Sequence, residues 1–379
     1  MNTPIPFNKP YLTGAEAAYI GEVLHSGKLS GDGIFTRKCQ DFLEQHYGFR
    51  QALLTTSCTD ALEMAAILLD IREGDEVIVP SYTFVSTVNA FVLRGAHIIF
   101  ADSNPLNPNI DADTLEALIT SKTKAVVVVH YAGIACEMDK ITALALKHGI
   151  AIVEDAAASI QSYYKGIPLG SIGTCGTFSF HETKNISSGE GGALILNDPR
   201  LFNRAEIIRE KGTNRAAFFR GEVNKYGWVD IGSSFLPAEI ISAFLYAQLE
   251  NLSRIQKKRI TLWETYHTLL SPLAQKGLLQ LPYLPSYASN NAHAYYLVLK
   301  NLDQRTALIA WLKSKGIQSA FHYLSLHSSP YFEGKYKGPA LKNADRYSET
   351  LLRLPLYYDL TEEQVRIIFE EINTFFSKA

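Results

Sequence analysis

The sequence predicts an α/β protein: a mainly parallel sheet flanked by helices, followed by a smaller C-terminal α+β domain. Three observations carry that expectation. Short, almost wholly apolar runs recur at residues 76–79, 125–129 and 150–153, and a strand that is apolar on both sides belongs in a sheet covered on both faces. Stretches with apolar residues three and four apart lie between such runs, as βαβ units require. Beyond about residue 250 the alternation gives way to isolated strand and helix patterns.

The elements follow in order. Ser26-Gly27-Lys28-Leu29-Ser30-Gly31-Asp32-Gly33 is a loop, because glycines punctuate it around an aspartate. Phe35, Cys39, Phe42 and Leu43 then stand at helical spacing. Residues 51–54 form a first strand ending in Thr55-Thr56-Ser57-Cys58-Thr59, and a helix follows with Ala61, Leu62, Ala65, Ala66, Leu68 and Leu69 on its apolar face. The Ser/Thr cluster reads in two ways. It is an N-cap, or a phosphate cradle, since free amides and the helix dipole favour an anion there. Residues 76–79, 96–101 and 125–129 give three more strands, ending at Pro80-Ser81-Tyr82-Thr83-Phe84, at Asp102 and at His130-Tyr131-Ala132-Gly133. Asn89 to Leu93, Leu115-Leu118-Ile119 and Ile141-Leu144-Ala145 show helical patterns, and 150–153 is a fifth strand. A strand at 193–196 precedes helix signals at Leu201, Ala205 and Ile208. Residues 212–236 are irregular, and one long helix is expected over 237–270. A strand at 295–299 and helices at 305–313 and 362–376 complete the chain. The expected division is a large domain over 1–250 and a small one over 251–379.

Composition narrows the function. Of 379 residues, 47% are apolar and 20% charged, with a formal net charge of −2. That balance is globular, and without a basic run it argues against nucleic acid as the main partner. Cys39, Cys58, Cys136 and Cys175 form no CxxC pair, so neither a metal site nor a disulfide framework is expected. The N-terminus lacks the charged-then-apolar pattern of a signal peptide, and the apolar runs are too short for a membrane span. A cytoplasmic protein without membrane partners is expected. No GxxxxGK[ST] occurs and no GxGxxG follows the first strand, so P-loop and dinucleotide readings have little support.

The chemistry concentrates between Glu154 and Gly192. Strand 150–153 leads into Glu154-Asp155; further on, Phe178-Ser179-Phe180 leads to His181-Glu182-Thr183-Lys184 and then Gly189-Glu190-Gly191-Gly192. We read Asp155 and Lys184 as meeting at one cofactor, pyridoxal 5′-phosphate (PLP). Lys184 would hold it as a Schiff base, and Asp155 would keep the pyridine nitrogen protonated. Such a lysine has to be desolvated, or set near positive charge, to present a neutral amine. Either residue alone is a weak signal, since most lysines are solvated and an acid at a strand end is often a cap. Their joint context is stronger. In parallel sheets ligands bind beyond the carboxyl ends of the strands, where Ser57, Thr59, Tyr82, His130 and Asp155 are expected to converge. The glycines after Lys184 read as a tight turn, near the cofactor or purely structural.

Over essentially its whole length the chain resembles the DegT/StrS-type sugar-nucleotide aminotransferases, fold type I PLP enzymes. The resemblance rests on an ordered set: the SGK opening at Ser26, SCT at Ser57, PSYTF at Pro80, HYAG at His130, EDAA at Glu154, FSFHETKN at Phe178, GEGG at Gly189, FHY at Phe321 and LPL at Leu354. It implies roles for single residues. Lys184 matches the catalytic, cofactor-bearing lysine, Asp155 the partner of the ring nitrogen and Phe84 the aromatic stacked on the ring. Ser57, Cys58, Thr59 and Ser179 match phosphate-binding positions. Ser234 falls where many relatives carry an asparagine that reaches the partner subunit's cofactor, so a homodimer with shared active sites is implied. His181, His322 and Tyr323 match positions near the sugar nucleotide. HETKN, the CEMD of Cys136 and the REKGTNR of Arg209 point within the family to amination of dTDP-4-keto-6-deoxyglucose by L-glutamate, with pyridoxamine phosphate as the intermediate carrier. Other amino-sugar products, with the amine at C3 or the other C4 configuration, share the same catalytic residues. A non-catalytic PLP-binding regulator is the reading from another class. One position departs: Ala158 stands where relatives usually carry Gln or His beside the phenolic oxygen, so one hydrogen bond to the ring is missing.

Overall fold

The computed structural model describes residues 4–378. Nine strands define the frame: β1 (Gln51–Thr55), β2 (Glu76–Pro80), β3 (His97–Ala101), β4 (Thr123–Val129), β5 (Ala151–Asp155), β6 (Tyr163–Tyr164), β7 (Ile167–Pro168), β8 (Cys175–Ser179) and β9 (Gly192–Leu196). All but the short β6–β7 ribbon join one seven-stranded sheet in the order β1-β9-β8-β5-β4-β2-β3. Pairings from β3 through β2, β4 and β5 to β8 are parallel; β9 runs antiparallel to both β8 and β1. The expected mainly parallel α/β sheet is present, with β9 its one reversed strand.

Alternation within the apolar runs explains how the sheet is covered. Val77, Val79, Ala125, Val127 and Val153 face the helices Cys58–Leu68 and Val85–Val92 in one core. Ile78, Val126, Val128 and Ile152 face the other way, onto Met138, Ile141 and Ala145 of the helix Met138–His148. Fully burying one such side chain contributes about 1.5–3 kcal/mol, so a register slip would forfeit several at once. A further core under β1, β8 and β9 takes Cys39 and Leu43 from the helix Ile34–Tyr47 and Leu245 and Leu249 from the helix Glu239–Glu250.

The C-terminal part pairs β10 (Tyr295–Val298) with β11 (Leu351–Leu354), antiparallel. Alternate residues again divide. Tyr295, Leu297, Leu352 and Leu354 pack with Leu262, Tyr266, Leu308, Val365 and Ile368 in a separate core, which Ile5 also joins. Tyr296, Val298 and Leu351 turn instead to the core around the helix Cys58–Leu68.

Two expectations need correction. The apolar period over 237–270 is carried by two helices, Glu239–Glu250 and Leu252–Gln275, broken at Asn251, whose φ/ψ of −101°/4° leaves the helical region. Asn251 Nδ2 donates to the Ala247 carbonyl at 2.9 Å. Periodicity is blind to a one-residue break when both sides keep the same spacing. The pattern at Leu115–Ile119 yields only two short 3₁₀ turns, Ala112–Thr114 and Glu116–Leu118. Ile119 is already extended, because β4 begins a few residues later.

Candidate active site

A cavity of about 470 Å³ opens at the carboxyl ends of β1, β2, β4, β5 and β8, against the segment that carries β10 and β11. Ser57, Cys58, Thr59, Phe84, Asp155, Ser179, His181, Lys184, His322 and Tyr323 all line it. Ser234 does not; it is exposed and forms a bridge with Glu210. Tyr82 does not either. It is buried behind the wall and donates to the His322 carbonyl, a contact that Tyr131 Oη duplicates at 2.9 Å.

Asp155 ends β5 and is 5% exposed. Its Oδ2 accepts from Thr87 Oγ1 at 2.6 Å and its Oδ1 from the Ala157 amide at 3.1 Å. These bonds fix the carboxylate's plane. Behind it, Glu154 accepts from the amides of Gly170, Ile172 and Gly173 at 2.8, 2.7 and 2.6 Å. Glu154 Oε2 also lies 3.0 Å from His130 Nε2. The Cys136 amide donates to His130 Nδ1 (3.1 Å), which leaves the ring proton on Nε2, facing Glu154.

Burial holds the Lys184 amine below its ordinary pKa, against the pull of Cys58 and Asp155, and the charge of Arg353 adds to the lowering. Burial pushes the Cys58 thiol well up, so this cysteine is a neutral wall and no nucleophile. His322 titrates near 4 because burial and then the charges of Arg353 and Lys184 disfavour its cation. His293, also in the wall, is lowered by burial and by Lys184. His322 and His293 therefore stand in the wall as neutral imidazoles. His181 sits at the rim, with Nδ1 3.0 Å from Thr183 Oγ1 and Nε2 3.6 Å from Glu190.

The helix Cys58–Leu68 points its N-terminus at this space. Its first amides lack intrahelical acceptors, and Ser57 Oγ caps only the Asp60 amide, at 3.1 Å. Cys58 and Thr59, which head the helix, line the cavity, and Thr59 Oγ1 donates to Ser86 Oγ at 2.8 Å. The N-cap reading is thus realised, and the geometry also suits an anion. Phe84 keeps 54% of its surface exposed at the cavity wall, 5.8 Å from the Tyr323 ring.

The DegT/DnrJ/EryC1/StrS aminotransferase family profile matches residues 10–373. The chain belongs to that family. Solved relatives agree in fold along the full length. The aminotransferase TlmJ from Streptoalloteichus hindustanus is 29% identical, with a TM-score of 0.90 and 99% of each chain covered. PseC of Helicobacter pylori, an aminotransferase involved in pseudoaminic acid biosynthesis, is 25% identical, with a TM-score of 0.90 and 100% of each chain covered. Spr1654 of Streptococcus pneumoniae, 26% identical with 99% of each chain covered and a TM-score of 0.90, is known in both PLP and pyridoxamine phosphate forms. The chain is a PLP-dependent aminotransferase with the fold type I architecture.

The residues present fit that cofactor. A buried amine, a carboxylate held in one orientation and a helix N-terminus meet in one cavity. Ala158 lines the cavity too and offers the ring no side-chain hydrogen bond; its carbonyl accepts from Asn291 Nδ2 at 2.7 Å.

The glycine turn after Lys184 has a local reason. Gly189 takes φ +79°, and Gly192 starts β9 directly against the Ser57–Cys58 turn, where an added Cβ would lie 2.4 Å from the Cys58 nitrogen. Gly192→Ala is expected to cost about 1–3 kcal/mol and to weaken PLP retention, since it displaces the head of the helix that points into the cavity. Thermal melts with a PLP titration check this. Unchanged melting and unchanged affinity would mean that the turn has room.

Thr87, His293 and Arg353 also reach the site and were not singled out from sequence. Thr87 sits on the helix Val85–Val92, one turn past Phe84, and i+3 spacing from an expected site residue was the available signal. His293 and Arg353 come from the C-terminal part, where nothing local marks them.

Proposed function

We propose that this aminotransferase moves the amino group of L-glutamate to a nucleotide-linked keto sugar. The substrate in this reading is dTDP-4-keto-6-deoxyglucose, and the product, dTDP-4-amino-4,6-dideoxygalactose, supplies a surface polysaccharide. The observation that carries the reaction type is Lys184: a buried amine held below its ordinary pKa, in the same cavity as the fixed carboxylate of Asp155. The choice of sugar rests on the HETKN, CEMD and REKGTNR segments.

When bound, PLP supplies an electron sink for the bond that breaks at the donor's Cα. Lys184 would hold the cofactor through Nζ, and the same amine, when free, would take the proton from the donor's Cα, which its lowered pKa favours. Asp155 would keep a proton on the ring nitrogen, and its own bonds to Thr87 and Ala157 stop it from turning away. Ser57, Cys58, Thr59 and Ser179 would hold the phosphate, and Phe84 would pack against the ring. His181, His322 and Tyr323 border the space for the sugar.

The active unit in this reading is a homodimer in the cytoplasm. Phe219, Tyr226, Trp228, Val229 and Ile231 are all exposed along the segment that precedes Ser234, and a second copy would cover them while bringing Ser234 to its phosphate. The four cysteines are free and buried, which suits a reducing compartment. Among the described residues no helix is long and apolar enough to cross a membrane.

A two-step spectral titration of the holoenzyme tests the proposal. Glutamate is expected to bleach the cofactor's visible band, and dTDP-4-keto-6-deoxyglucose to restore it, with an axial C4 amine by NMR. Bleaching without return would move the substrate to another keto sugar. No bleaching with any amino donor would favour a PLP-binding regulator.

A further inference from the structure

The tautomer of His293 is set by a chain of bonds that begins at a backbone carbonyl. Asn185 follows Lys184 in sequence, and its Nδ2 donates to the Asn291 carbonyl at 2.8 Å and to Gln256 Oε1 at 3.0 Å. Gln256 Nε2 donates to the same carbonyl. A carbonyl oxygen can only accept, so the orientation of both amides is fixed. Asn185 Oδ1 is then an acceptor, and it lies 3.0 Å from His293 Nδ1. The ring proton therefore sits on Nδ1, and Nε2 carries a lone pair. The main chain is held as well. The His293 amide donates to Asn291 Oδ1 at 3.0 Å, and its carbonyl accepts from Arg259 Nη2 at 2.8 Å. Asn291 Nδ2 in turn donates to the Ala158 and Ile160 carbonyls, at 2.7 and 2.8 Å.

His293 is 7% exposed and lines the cavity. Nothing among the described residues bonds its Nε2. Burial first, and then the cations around it, keep the ring neutral, so Nε2 accepts and does not donate. A buried acceptor without a partner is costly, so a ligand that fills the cavity has to bring it an N–H or an O–H. The cofactor's phosphate and the amino donor's carboxylates only accept, and the donor's nitrogen is committed to the cofactor. A sugar hydroxyl donates. The tether to Asn185 keeps the ring with the lysine, whereas the base of a nucleotide sugar lies beyond a hexose and a diphosphate.

We propose that His293 is the acceptor for the hydroxyl next to the carbonyl that receives the amine, and that it selects a keto sugar with this hydroxyl over its deoxy counterpart. This rests on the aminotransferase reading given above and adds a residue that determines which sugar is taken. For a 4-keto sugar the hydroxyl is the one at C3. A site built to pair a substrate O–H rejects the analogue that lacks it, because the buried acceptor is then left alone. Asn185 acts through the ring, as the positioning residue that keeps the proton on Nδ1.

The test uses holoenzyme and two variants. His293→Asn keeps an N–H for Asn185 Oδ1 and leaves nothing at the Nε2 position; His293→Gln returns an acceptor near it. Bleaching by glutamate is expected to be unchanged in H293N. In the return step, the concentration of dTDP-4-keto-6-deoxyglucose for half-recovery should rise roughly 5- to 100-fold, and H293Q should recover part of the loss. With dTDP-4-keto-3,6-dideoxyglucose, which has no C3 hydroxyl, wild type and H293N should return alike, while the 2,6-dideoxy analogue should still separate them. An unchanged return step or an equal loss with the 3-deoxy analogue would overturn the assignment. So would a loss in the glutamate step, which would give the ring to the Lys184 amine. Nitrogen NMR of histidine-labelled holoenzyme reads the tautomer directly, and a proton on Nε2 would overturn the proposal whatever the substrate. A wild-type enzyme that bleached with glutamate and did not return with this sugar would fail the sugar reading; the same comparison, with a keto sugar that does restore the band and its deoxy analogue, would still decide the role of His293.

Discussion

Lys184→Ala abolishes turnover, with kcat down by about 10⁴-fold or more, because nucleophilic holding of the cofactor and proton transfer are lost together. The fold is expected to survive. The Lys184 amine is buried and disfavoured as a cation, so its removal takes away a cost. A change in pH dependence accompanies this in the apo protein. An unfolded lysine titrates near 10.5, and the folded amine titrates below that. Between those two points the unfolded chain binds the extra proton, so stability climbs as pH rises toward 10.5 and is lower on the acid side. The alanine variant lacks that climb. Lys184→Arg should be as inactive as alanine, since a guanidinium cannot give up its proton. Melting curves across pH, with steady-state rates, check all of this. Activity within tenfold of wild type in K184A would remove the central claim.

Asp155→Asn has the second largest expected effect, a fall in kcat of about 10²- to 10³-fold, the scale of losing one preorganised electrostatic group. The amide is nearly isosteric, so the site keeps its shape. It carries no charge to hold a proton on the ring nitrogen. It also fails locally. The two carboxylate oxygens accept from Thr87 Oγ1 and from the Ala157 amide, whereas an amide offers a single acceptor oxygen. The amide nitrogen then faces Thr87 Oγ1, whose proton has to turn to Thr83 Oγ1, 2.9 Å away, so a charge-assisted bond gives way to weaker neutral ones. Weaker PLP binding and a shifted visible band are expected with the lower rate. If D155N kept a tenth or more of wild-type kcat, the carboxylate would not be the group that controls the ring.

Both predictions concern residues that stand out in the sequence, and the reason is local. Asp155 follows an all-apolar strand, and Lys184 stands shortly beyond Phe178-Ser179-Phe180, whose strand β8 the structure pairs parallel with β5. The apolar runs and the helical patterns between them mark a mainly parallel sheet, and its carboxyl edge is where the site is expected. The turn at Ser57–Thr59 is similar, because its cap residues and the helix after it are contiguous in the chain. Ten of the eleven residues expected at the site, most of them through the family resemblance, line one cavity.

What escaped the sequence is long-range. Arg353 is one of many arginines until the pairing of β11 with β10 and with Ala320 sets it against His322, thirty-one positions away. His293 lines the cavity with its ring held against Asn185, more than a hundred positions off. The break at Asn251 and the reversal of β9 likewise leave no periodic trace. Ser234 lies outside the cavity of its own chain. Local hydrophobic period and capping chemistry, which act over a few residues, determined the mainly parallel sheet, the strand that ends at Asp155 and the capped turn at Ser57–Thr59. Packing of the C-terminal part against that sheet decided which cations and imidazoles close the site, because those contacts are set by shape and burial between distant segments.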